Sequence, residues 1–113
     1  MNTAIPRIFI AATRQNDGKT TASLGLIAAL QKFFPRIGYI KPVGQRFVQV
    51  EEQKIDEDSV LMDSVYQLNT PLVDMSPIAV EPTFTRQYLE SANNQALVQK
   101  IQGAFDRVAT GKD

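Results

Sequence analysis

The segment Arg7-Ile8-Phe9-Ile10-Ala11-Ala12-Thr13-Arg14-Gln15-Asn16-Asp17-Gly18-Lys19-Thr20-Thr21 constrains the chain more than any other stretch. An apolar run that ends in small residues fits a central strand of a parallel sheet. The polar turn after it leads into Gly18-Lys19-Thr20, where a helix must begin. Strand, tight turn and helix start in this order form the layout of a phosphate-binding loop. A helix N-terminus offers unpaired N–H groups and the positive end of a dipole, so backbone donors would hold a polyphosphate as much as Lys19 does. Thr20 would offer its hydroxyl to a magnesium ion. The full pattern GxxxxGK[ST] asks for glycine where Thr13 stands. Asn16 and Asp17 tolerate left-handed backbone better than most residues, which lets the loop curl without every glycine. Residues Thr13, Arg14, Gln15, Asn16, Asp17, Gly18, Lys19, Thr20 and Thr21 are thus the candidate nucleotide cradle. The plainer alternative is a strand-to-helix turn in which Gly18 relieves strain and Lys19 is solvated.

Composition narrows the chemistry. With 113 residues, 43% of them apolar and 21% charged, the chain fits one soluble globular domain over residues 1–113. Twelve basic residues balance twelve acidic ones, which argues against a nucleic-acid surface held by counterion release. Without cysteine there is no disulfide, thiolate nucleophile or zinc-thiolate cluster, and a cytoplasmic location is the default expectation. Without histidine, proton transfer falls to carboxylates, lysines, water or the substrate's own phosphate oxygens. The start Met1-Asn2-Thr3-Ala4-Ile5-Pro6 lacks the features of a signal peptide, and the apolar patch at 24–30 is too short to span a bilayer.

From residue 18 the pattern predicts a helix, with Leu24, Ile27, Leu30 and Phe34 at three- and four-residue steps and Pro35 stopping it. Gly38 resets the chain, and Tyr39-Ile40 opens a second short strand into Lys41-Pro42-Val43-Gly44. Strand, helix and strand make a right-handed βαβ unit with parallel strands. Lys41 would then emerge at the carboxyl edge of the sheet, beside the phosphate loop, either as a ligand or as a solvated loop cation. Residues 45–57 are mostly polar and predict an exposed loop. Asp56 or Asp58 would cap a helix carrying Val60, Leu61, Val65 and Leu68. Residues 69–85, with three prolines and no clear period, predict a long irregular connection of the kind that often binds ligands. A long helix is expected over 86–109.

Taken together, Ala12-Thr13-Arg14-Gln15-Asn16-Asp17-Gly18-Lys19-Thr20, Gly38-Tyr39-Ile40-Lys41-Pro42-Val43, the helix opened by Asp58, and Glu81-Pro82-Thr83 resemble the N-terminal half of dethiobiotin synthetase. That family also carries threonine in place of the loop's first glycine. The opening strand and loop are equally similar to the ATP-binding domain of cobyrinic acid a,c-diamide synthase. Related domains also occur fused to phosphate acetyltransferases. The resemblance implies an α/β fold, a three-layer P-loop NTPase-like parallel sheet truncated to its N-terminal half. It also implies an ATP- and Mg2+-dependent step that phosphorylates a substrate carboxyl or carbamate before attack by nitrogen.

In this resemblance Lys19 and Lys41 take the catalytic roles. Lys19 would meet the β- and γ-phosphates, and Lys41 would sit between the γ-phosphate and the acceptor carboxyl group. Thr20 and Asp58 would hold magnesium. The chain departs from the family at Arg14, Gln15 and Gly44-Gln45-Arg46, positions that bear on the substrate. The family continues past its long helix into a further strand that supplies a glutamate to the metal, whereas this sequence stops at Asp113. The expected partners are therefore a nucleotide and a small carboxylate, with the exposed sheet edge completed by a second copy or by a missing C-terminal half. Two other readings stay open. One is a non-catalytic nucleotide-sensing or interaction domain. The other is a partition-type ATPase that dimerises over nucleotide, with Arg14 in place of that family's signature lysine.

Overall fold

The computed structural model describes residues 5–13, 18–81, 83, 86 and 95–113. Helix α1 (Lys19–Leu30) begins immediately after Gly18, as the loop pattern requires. Gly18 sits in the left-handed region at φ 86°, a conformation that favours a residue without a β-carbon. Ile27 and Ser23 are buried on the inner side of the helix, and Leu24 packs beside them. The helix ends at Leu30 and residues 31–33 turn, so the periodic pattern outruns the helix before Pro35.

The expected buried strand at 7–12 is not found. Residues 6–12 carry no ladder, and Ile8 and Phe9 are 64% and 89% exposed. An apolar run marks a strand only where a neighbour supplies backbone partners. Among the described residues the sheet is built elsewhere. Strand β1 (Val43–Gly44) pairs in parallel with β4 (Ile78–Ala79), in the register Val43 to Ile78 and Gly44 to Ala79. Around this pair, the Lys41 amide donates to the Met75 carbonyl (2.9 Å) and the Val80 amide to the Gly44 carbonyl (2.7 Å). Tyr39 and Ile40 lead into this pair without joining a ladder themselves, so the second strand expected to open there is found only at Val43–Gly44, after Lys41 and not before it, and the predicted βαβ unit gives way to a parallel pair between β1 and β4.

Two polar stretches are more regular than their composition predicts. Residues expected as an exposed loop form an antiparallel hairpin, β2 (Phe47–Val50) with β3 (Gln53–Asp56), registered Phe47 to Asp56 through Val50 to Gln53. Its two-residue turn places Glu51 and Glu52 at φ 50° and 66°, the mirror-image turn that suits strand twist but is unusual for non-glycine residues. The turn carries no Gly or Asn signal, which is why the hairpin is hard to read from sequence. Helix α2 (Glu57–Tyr66) follows directly, and then the single turn α3 (Leu72–Met75). Among the described residues of the irregular connection expected over 69–85, α3 and β4 give regular structure to 72–75 and 78–79. Met75, Ser76, Pro77 and Ile78 are buried there because α3 packs against α2 and β3, and β4 against β1 and β3.

Helix α4 is described over Gln95–Ala109, and residues 87–94 of the predicted long helix lie outside the described residues. Its inner face buries Ala104, Val108 and Ala109. The core gathers Ile27 of α1, Met62 of α2, Leu68, Met75 of α3 and Val108 of α4, with Ile37, Tyr39, Ile40 and Tyr66 packed against it. Three polar ties fix the elements around this core. The Tyr66 hydroxyl donates to the Leu24 carbonyl, joining α2 to α1. The Arg107 guanidinium donates to Asp74 at 2.8 Å, joining α4 to α3. Lys112 donates to the Leu68 carbonyl at 2.7 Å. Among the described residues no helix is long and apolar enough to cross a membrane.

Candidate functional site

Three elements deliver polar side chains to the N-terminal end of α1. Thr20 lies in the first turn of that helix, Asp58 in the first turn of α2, and Lys41 on the segment that enters β1. The Thr20 hydroxyl donates to Asp58 Oδ1 at 3.0 Å, and the Lys41 ammonium donates to Asp58 Oδ2 at 2.8 Å. One carboxylate thereby joins the helix start to the lysine, although 38 residues separate it from Thr20 and 17 from Lys41.

Asp56 completes the cluster. It is the N-cap of α2, where Oδ2 accepts from the Asp58 amide at 2.9 Å, and the same oxygen lies 3.4 Å from the Lys41 ammonium. Its backbone N–H donates to Ser76 Oγ at 2.9 Å, which fixes the residue to the end of α3. The other oxygen, Oδ1, is buried without a hydrogen-bond partner and presses against Gly44, where a β-carbon would stand 2.2 Å away. Gly44 is therefore the residue that admits the carboxylate. The expectation that one acid caps the helix holds for Asp56, which frees Asp58 to face α1 and Lys41. The chemical weight of Asp56 was hidden in the sequence. Two acids spaced by one residue at a helix start are the available signal, since one can cap while the other projects beyond the helix end.

Burial raises the Asp56 pKa, and the Asp58 amide and the Lys41 charge only partly offset this. Burial also acts against the Lys41 charge, but the hydrogen bond to Asp58 and the charges of both aspartates outweigh it and hold the ammonium above the ordinary lysine value. Tyr39 lies in the same field. Its burial, and then the charges of Asp58 and Asp56, push the phenol far above the usual tyrosine range, so it remains a neutral donor.

The Lys41 shift carries a sign that can be checked. A lysine whose folded pKa exceeds its unfolded value of 10.5 contributes stability that is complete below pH 10.5 and is lost as pH climbs through the folded value. Lys41→Met is expected to cost about 2 kcal/mol near neutrality, because it leaves a part-buried carboxylate pair without its cation. In urea melts across pH, the gap between the two proteins should stay level until roughly the unfolded lysine value and then close. A gap that has already closed by pH 8 would refute this account.

Of the other predicted cradle residues, Thr13 and Thr21 are exposed, while Lys19 is partly buried at the helix start. Arg14, Gln15, Asn16 and Asp17 lie outside the described residues. Gly18 has no side chain to cap the helix, and the first turn of α1 contains no acidic residue. The positive end of the dipole is therefore not cancelled within its own helix. Thr20 and Asp58 offer oxygen atoms, the type a hard divalent cation prefers, with the Lys41 ammonium beside them. Among the described residues no group of three or more acidic side chains gathers to form a self-sufficient metal cage.

Comparison with known proteins identifies the family. A family described as an AAA domain matches residues 6–108. Proteins named ATP-dependent dethiobiotin synthetase BioD 2, from Salmonella typhi and Salmonella typhimurium, are 30% identical over 76 residues. That stretch is 67% of this chain and 33% of each relative, so the match spans about a third of their length. No solved structure matches at a comparable level.

Proposed function

Because the chain belongs to the AAA domain family of P-loop ATPases related to dethiobiotin synthetase, we propose that Gly18, Lys19 and Thr20 bind the polyphosphate of ATP at the N-terminus of α1. The observation that carries this reading is the chain of contacts from Thr20 through Asp58 to Lys41. It gathers a hydroxyl, a carboxylate and an ammonium at the one helix end where an anion is favoured. Lys19 would meet the β- and γ-phosphates as a point charge, and the α1 amides would complete the cradle. Thr20 and Asp58 would hold magnesium, directly or through water, and the ion would neutralise phosphate charge. Lys41 would turn from the aspartates toward the γ-phosphate and the acceptor group.

The reaction proposed is transfer of the γ-phosphoryl group to a carboxyl or carbamate of a small substrate, ahead of attack by nitrogen. The side chains contribute position and charge neutralisation, which suits a site built without histidine. Thr13 and Thr21 flank the cradle and would contact the nucleotide at its edge. The test is calorimetry of the chain with ATP, ADP and AMP in the presence of magnesium. ATP and ADP should bind and AMP should bind much more weakly, because the polyphosphate supplies most of the contacts. Absence of heat and of any thermal shift with ATP, in a sample whose circular dichroism shows a folded protein, would overturn the proposal.

A further inference from the structure

We propose that Lys41 is a placeholder cation, whose ammonium occupies the Asp56–Asp58 pair before nucleotide arrives and so keeps divalent metal off the Thr20–Asp58 position until a polyphosphate draws the lysine away. The inference rests on the phosphate-binding reading above and adds to it an order of events, in which metal enters with or after the nucleotide and not before it. Three observations support it.

First, the ammonium contacts both acids, at 2.8 Å from Asp58 Oδ2 and 3.4 Å from Asp56 Oδ2. A magnesium ion bound to Asp58 would stand about 2 Å from its oxygen, within a few ångströms of this ammonium, where like charges exclude each other. Second, Asp56 is 1% exposed and its Oδ1 has no hydrogen-bond partner, so burial leaves this acid dependent on a nearby cation. Among the described residues, Lys41 is the cation seen in contact with both aspartates. Third, the lysine has somewhere to go. Its side chain is 31% exposed and borders the end of α1, so a γ-phosphate there could take the ammonium without unpacking the core. Phosphate would then substitute for the carboxylates as the partner of Lys41, and the metal would substitute for Lys41 as the partner of Asp58. Each exchange gives a charged group a new partner of opposite sign.

The test uses the whole chain free of nucleotide, titrated with Mn2+ and followed by the electron paramagnetic resonance signal of the free ion. Wild type is expected to bind Mn2+ weakly. Lys41→Met should bind at least about tenfold more tightly, and Asp58→Asn in the Lys41→Met background should lose that gain. Lys41→Arg, which keeps the charge, should stay as weak as wild type. Lys54→Met removes a β3 cation that pairs with Glu81 and should also leave the affinity unchanged.

Equal Mn2+ affinity in wild type and Lys41→Met would overturn the proposal. So would a gain that survives Asp58→Asn, or one matched by Lys54→Met. If Lys41→Met does not fold, Lys41→Gln replaces it, with the same two outcomes. The underlying reading fails separately, through absence of ATP binding by wild type, whatever Lys41 does to metal affinity.

Discussion

Replacing Gly44 by alanine is expected to destabilise the protein by about 3 kcal/mol, a severe loss for a domain whose whole stability is of the order of 5–15 kcal/mol. The added β-carbon would stand 2.2 Å from Asp56 Oδ1 and 2.8 Å from its Cγ, distances that force movement. Neither partner can yield easily. Gly44 is held in the parallel ladder opposite Ala79, and its carbonyl accepts from Val80. Asp56 is held by Ser76 through its amide and by the Asp58 amide through its carboxylate. If the carboxylate is displaced, α2 loses its cap, a loss worth roughly 1 kcal/mol in itself, and Lys41 loses one of its two anions. Urea unfolding of Gly44→Ala should show a lower midpoint with an unchanged slope. Adding Asp56→Ala should cost less in that background than in wild type, since the two changes share one collision. A Gly44→Ala protein within 0.5 kcal/mol of wild type would show that the contact gives way without cost.

The second large effect concerns ligand affinity. Lys19→Ala should weaken ATP binding by roughly 100-fold while leaving the fold intact. Charge-assisted hydrogen bonds to phosphate are worth about 1.5–3 kcal/mol, and each 1.4 kcal/mol is a factor of ten. Lys19 follows the left-handed Gly18 at the first position of α1, so truncating its side chain removes a cation without disturbing the helix. AMP binding should change little, because AMP lacks the phosphates that Lys19 would reach. A loss of ATP affinity below threefold in calorimetry, with circular dichroism unaltered, would place the polyphosphate elsewhere.

The start of α1 was legible because Gly18-Lys19-Thr20 carries its structural reason on its face: a left-handed residue, then a helix whose first amides need an acceptor. The cap of α2 was legible for a similar reason, an acid standing immediately before a helical pattern. Pairing between distant segments was not. The run at 7–12 has the composition of a buried strand, yet composition does not say which backbone will sit beside it, and Phe9 is left in solvent. Residues 78–79, in a proline-bearing stretch without a period, gave no strand signal because two residues are too few to alternate. The hairpin over Phe47–Asp56 was hidden by a Glu51-Glu52 turn, since neither residue advertises a left-handed backbone.

For the site, the strand-and-loop pattern pointed to Lys41 and the family resemblance to Asp58, and the coordinates bring these two together with Thr20. Asp56 escaped notice as more than a cap, because its second task depends on Gly44 leaving room and on Lys41 arriving from another segment.

One carboxylate thus has three neighbours to satisfy, a helix start, an ammonium and a bare α-carbon. The evolutionary consequence is a locked trio of Gly44, Asp56 and Lys41. A lineage that exchanges Asp56 must supply a new cap for α2 and a new counterion for Lys41 in the same step, and one that enlarges Gly44 must first retire the acid. Drift at any of these three positions should therefore come in company, while the exposed Gln49 of the same hairpin is free to wander.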